Sequence, residues 1–152
     1  MGIEVTVIDG SDHVGWMAGA SRTGELYMTS VASMVRVVLA HIGSRRMDRL
    51  NILDHGSTRS IQIGTDRVSV TTLPRFEGQL RRLRGHFSRN GFVHLQHCNA
   101  GGNAALLLRL AQVFGVSVYA GTGLHHAVYR FNTGDYVRAD PNGSFARSVP
   151  RP

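Results

Sequence analysis

Four short apolar runs, at residues 3–8, 50–53, 92–95 and 116–120, alternate with segments whose apolar residues recur at helical spacing. This alternation restricts the topology more than any other feature, because strands joined through helices need crossover connections and so build a largely parallel sheet. Thr29 or Ser30 can cap a helix whose apolar face is Val31, Met34, Val35, Val38, Leu39 and Ile42, and Gly43 sits where a C-terminal cap would. A second helix spans residues 104–114 and is closed by Gly115; a basic amphipathic helix is expected over 76–87, after Pro74. Residues 61–70 alternate around Gly64-Thr65-Asp66 like a hairpin, and a terminal hairpin is expected from 127–131 and 136–139, on either side of Asn132-Thr133-Gly134-Asp135.

The length of 152 residues suits one core, and 42% hydrophobic against 18% charged residues excludes a disordered chain. The expected architecture is α/β: a three-layer sandwich with a mainly parallel sheet of about four strands plus a C-terminal hairpin. One domain would cover residues 1–147, with a flexible tail at 148–152. The glycine-rich stretch 10–24 is long for an internal connection, and such loops tend to be functional or mobile; Trp16 and Met17 within it suit a lid over the core.

All seventeen basic residues are arginine and outnumber ten acids, for a formal charge of +7. They are spread along the chain, bunching only at Arg45-Arg46-Arg49 and Arg81-Arg82-Arg84, with no aromatic interleaving, so nucleic acid is not expected as a partner. No apolar run approaches the roughly 20 residues of a membrane helix, and residues 1–4 lack the charged and apolar parts of a signal peptide. The expectation is a soluble chain, cytoplasmic at synthesis, with signal-less secretion left open.

The single cysteine, Cys98, excludes an internal disulfide and a four-cysteine zinc site. Sites in open parallel sheets form beyond the carboxyl ends of the strands, where the second run ends at His55 and the third at Cys98. If these strands are near neighbours, a thiolate nucleophile and an imidazole acid/base share one edge. A helix starting just after Cys98 would favour the thiolate through its dipole. Gly56 would let a substrate approach closely and offer its N–H, with that of Cys98, to an oxyanion. The bland alternative is an inert core thiol.

Other chemistries compete. His94, His97, Cys98, His125 and His126 include good zinc ligands, but on a strand His94 and His97 face opposite ways, and no helical two-histidine motif is present, so no metal is expected. His125 and His126 would line the cleft or face solvent. Gly101-Gly102-Asn103 could bind phosphate at a helix start, yet there is no lysine and no dinucleotide fingerprint. Asp54 either orients His55 or, as the better reading, is buried for structure, since adjacent strand residues face apart.

Gln96-His97-Cys98-Asn99-Ala100-Gly101 after one apolar strand, with His55-Gly56 after an earlier one, resembles the caspase-like cysteine peptidases, the clan of caspases, legumains, clostripain, gingipains and separase. It is most similar to small bacterial caspase-fold domains of uncharacterised function. The caspase signature is Q-A-C-[RQG]-G with its histidine about 50 residues upstream, and His55 precedes Cys98 by a comparable stretch. The resemblance implies His55 as general base and acid, Cys98 as nucleophile, the Gly56 and Cys98 backbone as oxyanion hole, and Gln96 as a wall of the substrate pocket. It also implies a small-residue turn, Gly121-Thr122, at the substrate cleft. Asp12 or Arg22, from the first loop, would select the charge of the cleaved residue. The implied function is a cysteine endopeptidase with a peptide or protein substrate and no cofactor; the alternative is a catalytically inactive interaction domain that binds an acidic partner.

Overall fold

A computed structural model describes residues 2–10, 24–126 and 131–152. In chain order its elements are β1 (Ile3–Asp9), β2 (Leu26–Met28), α1 (Val31–Ile42), β3 (Met47–Leu53), β4 (Ile61–Ile63), β5 (Asp66–Val68), α2 (Glu77–Leu80), β6 (Phe87–Gln96), α3 (Ala104–Phe114), β7 (Ser117–Gly121), β8 (Tyr136–Ala139) and β9 (Phe145–Arg147). The central sheet runs β2-β1-β3-β6-β7-β8-β9; β4 and β5 form a separate hairpin. Pairing is parallel from β2 through β7 and antiparallel at β8 and β9, so the α/β class and the mainly parallel sheet are as expected.

Both long helices have the boundaries their caps dictate. The Ser30 hydroxyl accepts the Ser33 N–H at 3.0 Å while the Ser33 hydroxyl accepts the Ser30 N–H at 3.1 Å, a reciprocal box that starts α1. Asn103 accepts the Leu106 N–H at the start of α3, and Gly115, at φ 73°, ends it.

Pairing and not local pattern decides the remaining elements. Besides the four expected parallel strands and the C-terminal antiparallel strands, the sheet has β2, which gains its order from pairing with β1. The helix expected over 76–87 is only α2, flanked by 3-10 turns at Leu73–Arg75 and Arg81–Leu83. It stops because Gly85 takes φ +86° and Phe87 already pairs with Met47 in β6. The hairpin partner of β8 is β9; residues 127–130 lie outside the described residues. Near the chain end, the Arg151 carbonyl accepts from Arg49 at 2.8 Å, and its guanidinium donates to the Asn90 carbonyl and lies over the Phe92 ring.

Alternate residues divide the sheet into two faces. Val5, Val7, Leu50, Ile52, Val93, Leu95, Val118 and Ala120 are fully buried in one core with the apolar faces of all three helices. The opposite face carries the register row Thr6, Asn51, His94, Tyr119, Arg138.

Candidate functional site

Parallel pairing of β3 with β6 sets Leu53 opposite Gln96, so the chain leaves both strands at one edge. Asp54 ends β3: its buried carboxylate accepts the N–H of His55 and of Gly64, each at 2.8 Å. Burial is the main reason this carboxyl is pushed up from 3.8 to about 6; the two N–H bonds oppose the shift. The structural reading of Asp54 holds, because it ties the end of β3 to the turn between β4 and β5. His97 does the same for β6. Its Nε2–H donates to the Gln62 carbonyl at 2.8 Å, while the Gln62 N–H donates to His55 O at 2.8 Å. His97 is fully buried, which lowers it to about 4.

The two ends meet through Gly56. It sits opposite Ile61 in a bridge whose hydrogen bonds flank it, His55 O accepting and Ser57 N–H donating. Its other side lies on the β6 end: a Cβ there would be 2.6 Å from His97 Cβ and 2.9 Å from the Cys98 carbonyl oxygen. Only glycine fits this contact. The His55 side chain is exposed and lines a cavity of about 180 Å³ with Ser57, Gln62 and Arg67.

Cys98 is half-buried, and its Sγ accepts the His125 N–H at 3.3 Å. Asn99 follows at φ 61°, its N–H bonded to the Gly123 carbonyl at 2.8 Å. The chain then makes a 3-10 turn, Ala100–Gly102, and α3 begins only at Ala104, capped by Asn103. The expectation of a helix dipole on the sulfur is therefore corrected, since that field fades within a turn; the donor on the sulfur is the His125 N–H.

On the polar face, Gln96 and His94 point the same way from β6 and are both buried. His94 Nδ1 lies 2.8 Å from the Arg49 guanidinium and 3.5 Å from Gln96 Nε2. Burial, and then the Arg49 charge, lower His94 to about 3. The rings of His125 and Tyr136 meet it edge-on at 6.2 and 5.8 Å. Among the described residues no three His, Cys, Asp or Glu side chains are grouped so that they could hold a metal ion. His125 joins the site by its backbone at Cys98 and its ring at His94, whereas His126 is exposed and stacks on Phe131.

Gly121 and Thr122 end β7 against the turn 132–135: Thr122 N–H donates to the Asp135 carbonyl and its hydroxyl accepts the Asp135 N–H, at 2.8 and 2.9 Å. A Cβ on Gly121 would strike the Asn132 side chain, while Gly101 packs on the Gly121 backbone. Asp12, Arg22, Trp16 and Met17 lie outside the described residues. Sequence reasoning missed Arg49, Asn51 and Tyr136. A signal existed: within runs read as fully apolar, Thr6, Asn51 and His94 occupy one alternate set of positions.

Among the described residues, no helix is long and apolar enough to cross a membrane. The family model described as Domain of unknown function (DUF4347) matches residues 19–126, a span that includes His55 and Cys98. No curated protein matches the chain.

Proposed function

We propose, for a chain that belongs to the DUF4347 domain family, cysteine peptidase chemistry with Cys98 as nucleophile and His55 as acid and base. One observation carries the reading: β3 and β6 are parallel neighbours, and the Gly56 backbone, next to His55, lies against the backbone of Cys98. The caspase-like resemblance of both segments supports it, as does the position beyond the carboxyl ends of the strands.

In the first step the exposed His55 ring turns to the sulfur, takes its proton, and the thiolate attacks the substrate carbonyl carbon. The oxyanion accepts from the N–H of Gly56 and of Cys98. His55 then gives its proton to the leaving amine as the C–N bond breaks, leaving a thioester on Cys98. Water, deprotonated by His55, cleaves the thioester to a carboxylic acid and restores the thiol. No cofactor enters. A thiol used in this way must stay reduced, which fits a cytoplasmic setting.

Intact-mass labelling of the folded chain with peptidyl acyloxymethyl ketones tests this. One covalent adduct is expected, lost in Cys98→Ala and strongly slowed in His55→Ala. A thiol that iodoacetamide reaches but no peptidyl probe labels would instead favour the inactive interaction domain, and a thiol inaccessible to both would end the catalytic reading.

A further inference from the structure

The sheet carries a second concave region, at the end away from Cys98. Between the pairs Met47–Phe87 and Arg49–Phe92, β3 spends one residue, Asp48, where β6 spends four, 88–91, so this stretch of β6 bulges out of the sheet. Gly91 closes the bulge tightly, since a Cβ there would be 2.6 Å from the Met47 carbonyl oxygen. The segment 148–152 leaves β9 and returns over the same face. The Ser148 N–H still donates to the Tyr136 carbonyl of β8, whereas Arg151 lies over the Phe92 ring and its carbonyl accepts from Arg49. Two cavities, of about 500 and 580 Å³, are lined by both features and adjoin at Arg89, Asn90, Phe92 and Arg151. Together they reach from Glu4 on β1 to Arg138 on β8, four strand spacings or about 19 Å. That is room for about six residues of extended chain lying across the strands.

Charge decides what such a chain must carry. Arg49, Arg89, Arg138 and Arg151 line the two cavities, against Glu4 and Asp48 at one end. Arg138 is already paired with Asp140, at 3.1 Å. Among the described residues no carboxylate pairs with Arg89 or Arg151: the first is exposed, and the second donates to the Asn90 carbonyl. Beside them, Val116, Pro141 and the exposed Val149 add an apolar wall. We propose that this groove docks an extended acidic segment of a partner protein, with carboxylates on Arg89 and Arg151 and an apolar side chain on Val149. The site is independent of the peptidase reading, because Phe92 lies about 13 Å along β6 from Gln96, at the opposite end of the strand from Cys98. Nucleic acid is the competing polyanion and fits less well. Its phosphates repeat without interruption and would be carried onto Glu4 and Asp48, and the rings that could stack with bases, Phe92 and Tyr119, are only 4% and 7% exposed. A peptide can place acids only where the arginines stand. A second copy of this chain carries the same formal +7 and is repelled.

The test is fluorescence anisotropy on the full chain with three rhodamine-labelled probes: a hexapeptide of aspartates around one leucine, its counterpart with asparagine for every aspartate, and a thymidine oligonucleotide of the same length. The aspartate peptide is expected to bind more tightly than either of the others. Replacing Arg89→Ala together with Arg151→Ala should weaken it at least about tenfold, the scale of losing two charge-assisted contacts. A control pair, Arg36→Ala with Arg82→Ala, removes the same charge from exposed positions outside the groove and should leave the affinity as it was. Arg89→Glu alone, at an exposed side chain, should weaken binding too, which keeps the test independent of any loss of fold when Arg151 is replaced. Equal weakening by the control pair would mean that net charge and not the groove attracts the peptide, and overturns the inference. Tighter binding of the oligonucleotide would make the partner a nucleic acid and overturns it as well. So does equal binding of the asparagine peptide, or failure of the aspartate peptide to bind.

Discussion

At the scale of single residues, the site depends on an atom that is absent. Gly56 has no Cβ, and only so can the turn after β3 rest on the backbone of Cys98, since the added carbon would sit 2.9 Å from the Cys98 oxygen and 2.6 Å from His97 Cβ. Backbone and Cβ atoms cannot swing away as a flexible side-chain tip can, so Gly56→Ala must part the two strand ends. Labelling of Cys98 by a matched peptidyl probe is expected to fall on the order of 100-fold in Gly56→Ala, the scale of a displacement near 1 Å in a reacting group. Alkylation by iodoacetamide, which needs only access, should not fall. Unchanged peptidyl labelling would show that the Gly56–Cys98 contact has no part in the chemistry. This glycine was legible in the sequence as a residue following a strand-end histidine; what it lies against was not.

Among elements, the small β4–β5 hairpin ties both strand ends to α1. It accepts His97 at the Gln62 carbonyl, gives the Gly64 N–H to Asp54, and reaches across to α1. There the Asp66 carboxylate accepts the Val31 N–H at 2.9 Å, and the Thr65 N–H donates to the Thr29 carbonyl at 2.9 Å. Asp66 thus serves as a second, non-local cap on α1. Its replacement in Asp66→Ala should cost about 1 kcal/mol, the usual value of a cap. For a chain of this size that is a fall in Tm of roughly 2–4 °C. Calorimetry checks it, and an unchanged Tm would mean that solvent replaces the carboxylate at no loss. The hairpin itself was visible in the alternation around Gly64-Thr65-Asp66. Its service to both strand ends was not, because bonds such as His97 to Gln62 join residues far apart in sequence.

For the molecule as a whole, several of the arginines brace the chain. Arg45 donates to the His41 and Ile42 carbonyls at the end of α1, Arg46 to that of Gly85, and Arg81 and Arg109 both pair with Glu77. The response to acid comes instead from buried groups. His94 and His97 are held near 3 and 4, so between those values and 6.5 the unfolded chain binds protons that the native one refuses. Their contribution is complete above 6.5 and is lost as the pH falls toward 4. Asp54, raised to about 6, has the opposite sign: its contribution is present below 3.8 and lost as pH rises through 6. Two histidines against one carboxyl leave an uptake of about one proton on unfolding near pH 5. Tm should therefore fall from pH 6.5 to 4.5, and more steeply in Asp54→Asn, which removes the opposing group. A Tm that is flat or rises on acidification would contradict this assignment.

The sequence by itself determined the α/β alternation, the ends of α1 and α3, and the two strand-end segments His55-Gly56 and His97-Cys98. Each is encoded by neighbours within a few positions, through capping hydroxyls, side-chain periodicity and glycine at helix ends. Tertiary structure alone decided the rest. The three-residue strands β2 and β9 are too short to show a pattern and exist only through pairing. Phe87 left the expected helix because Met47 offered it a strand partner. His94 became a buried neutral ring only once burial removed water from it and Arg49, from the adjacent strand, dictated which ring nitrogen keeps its proton.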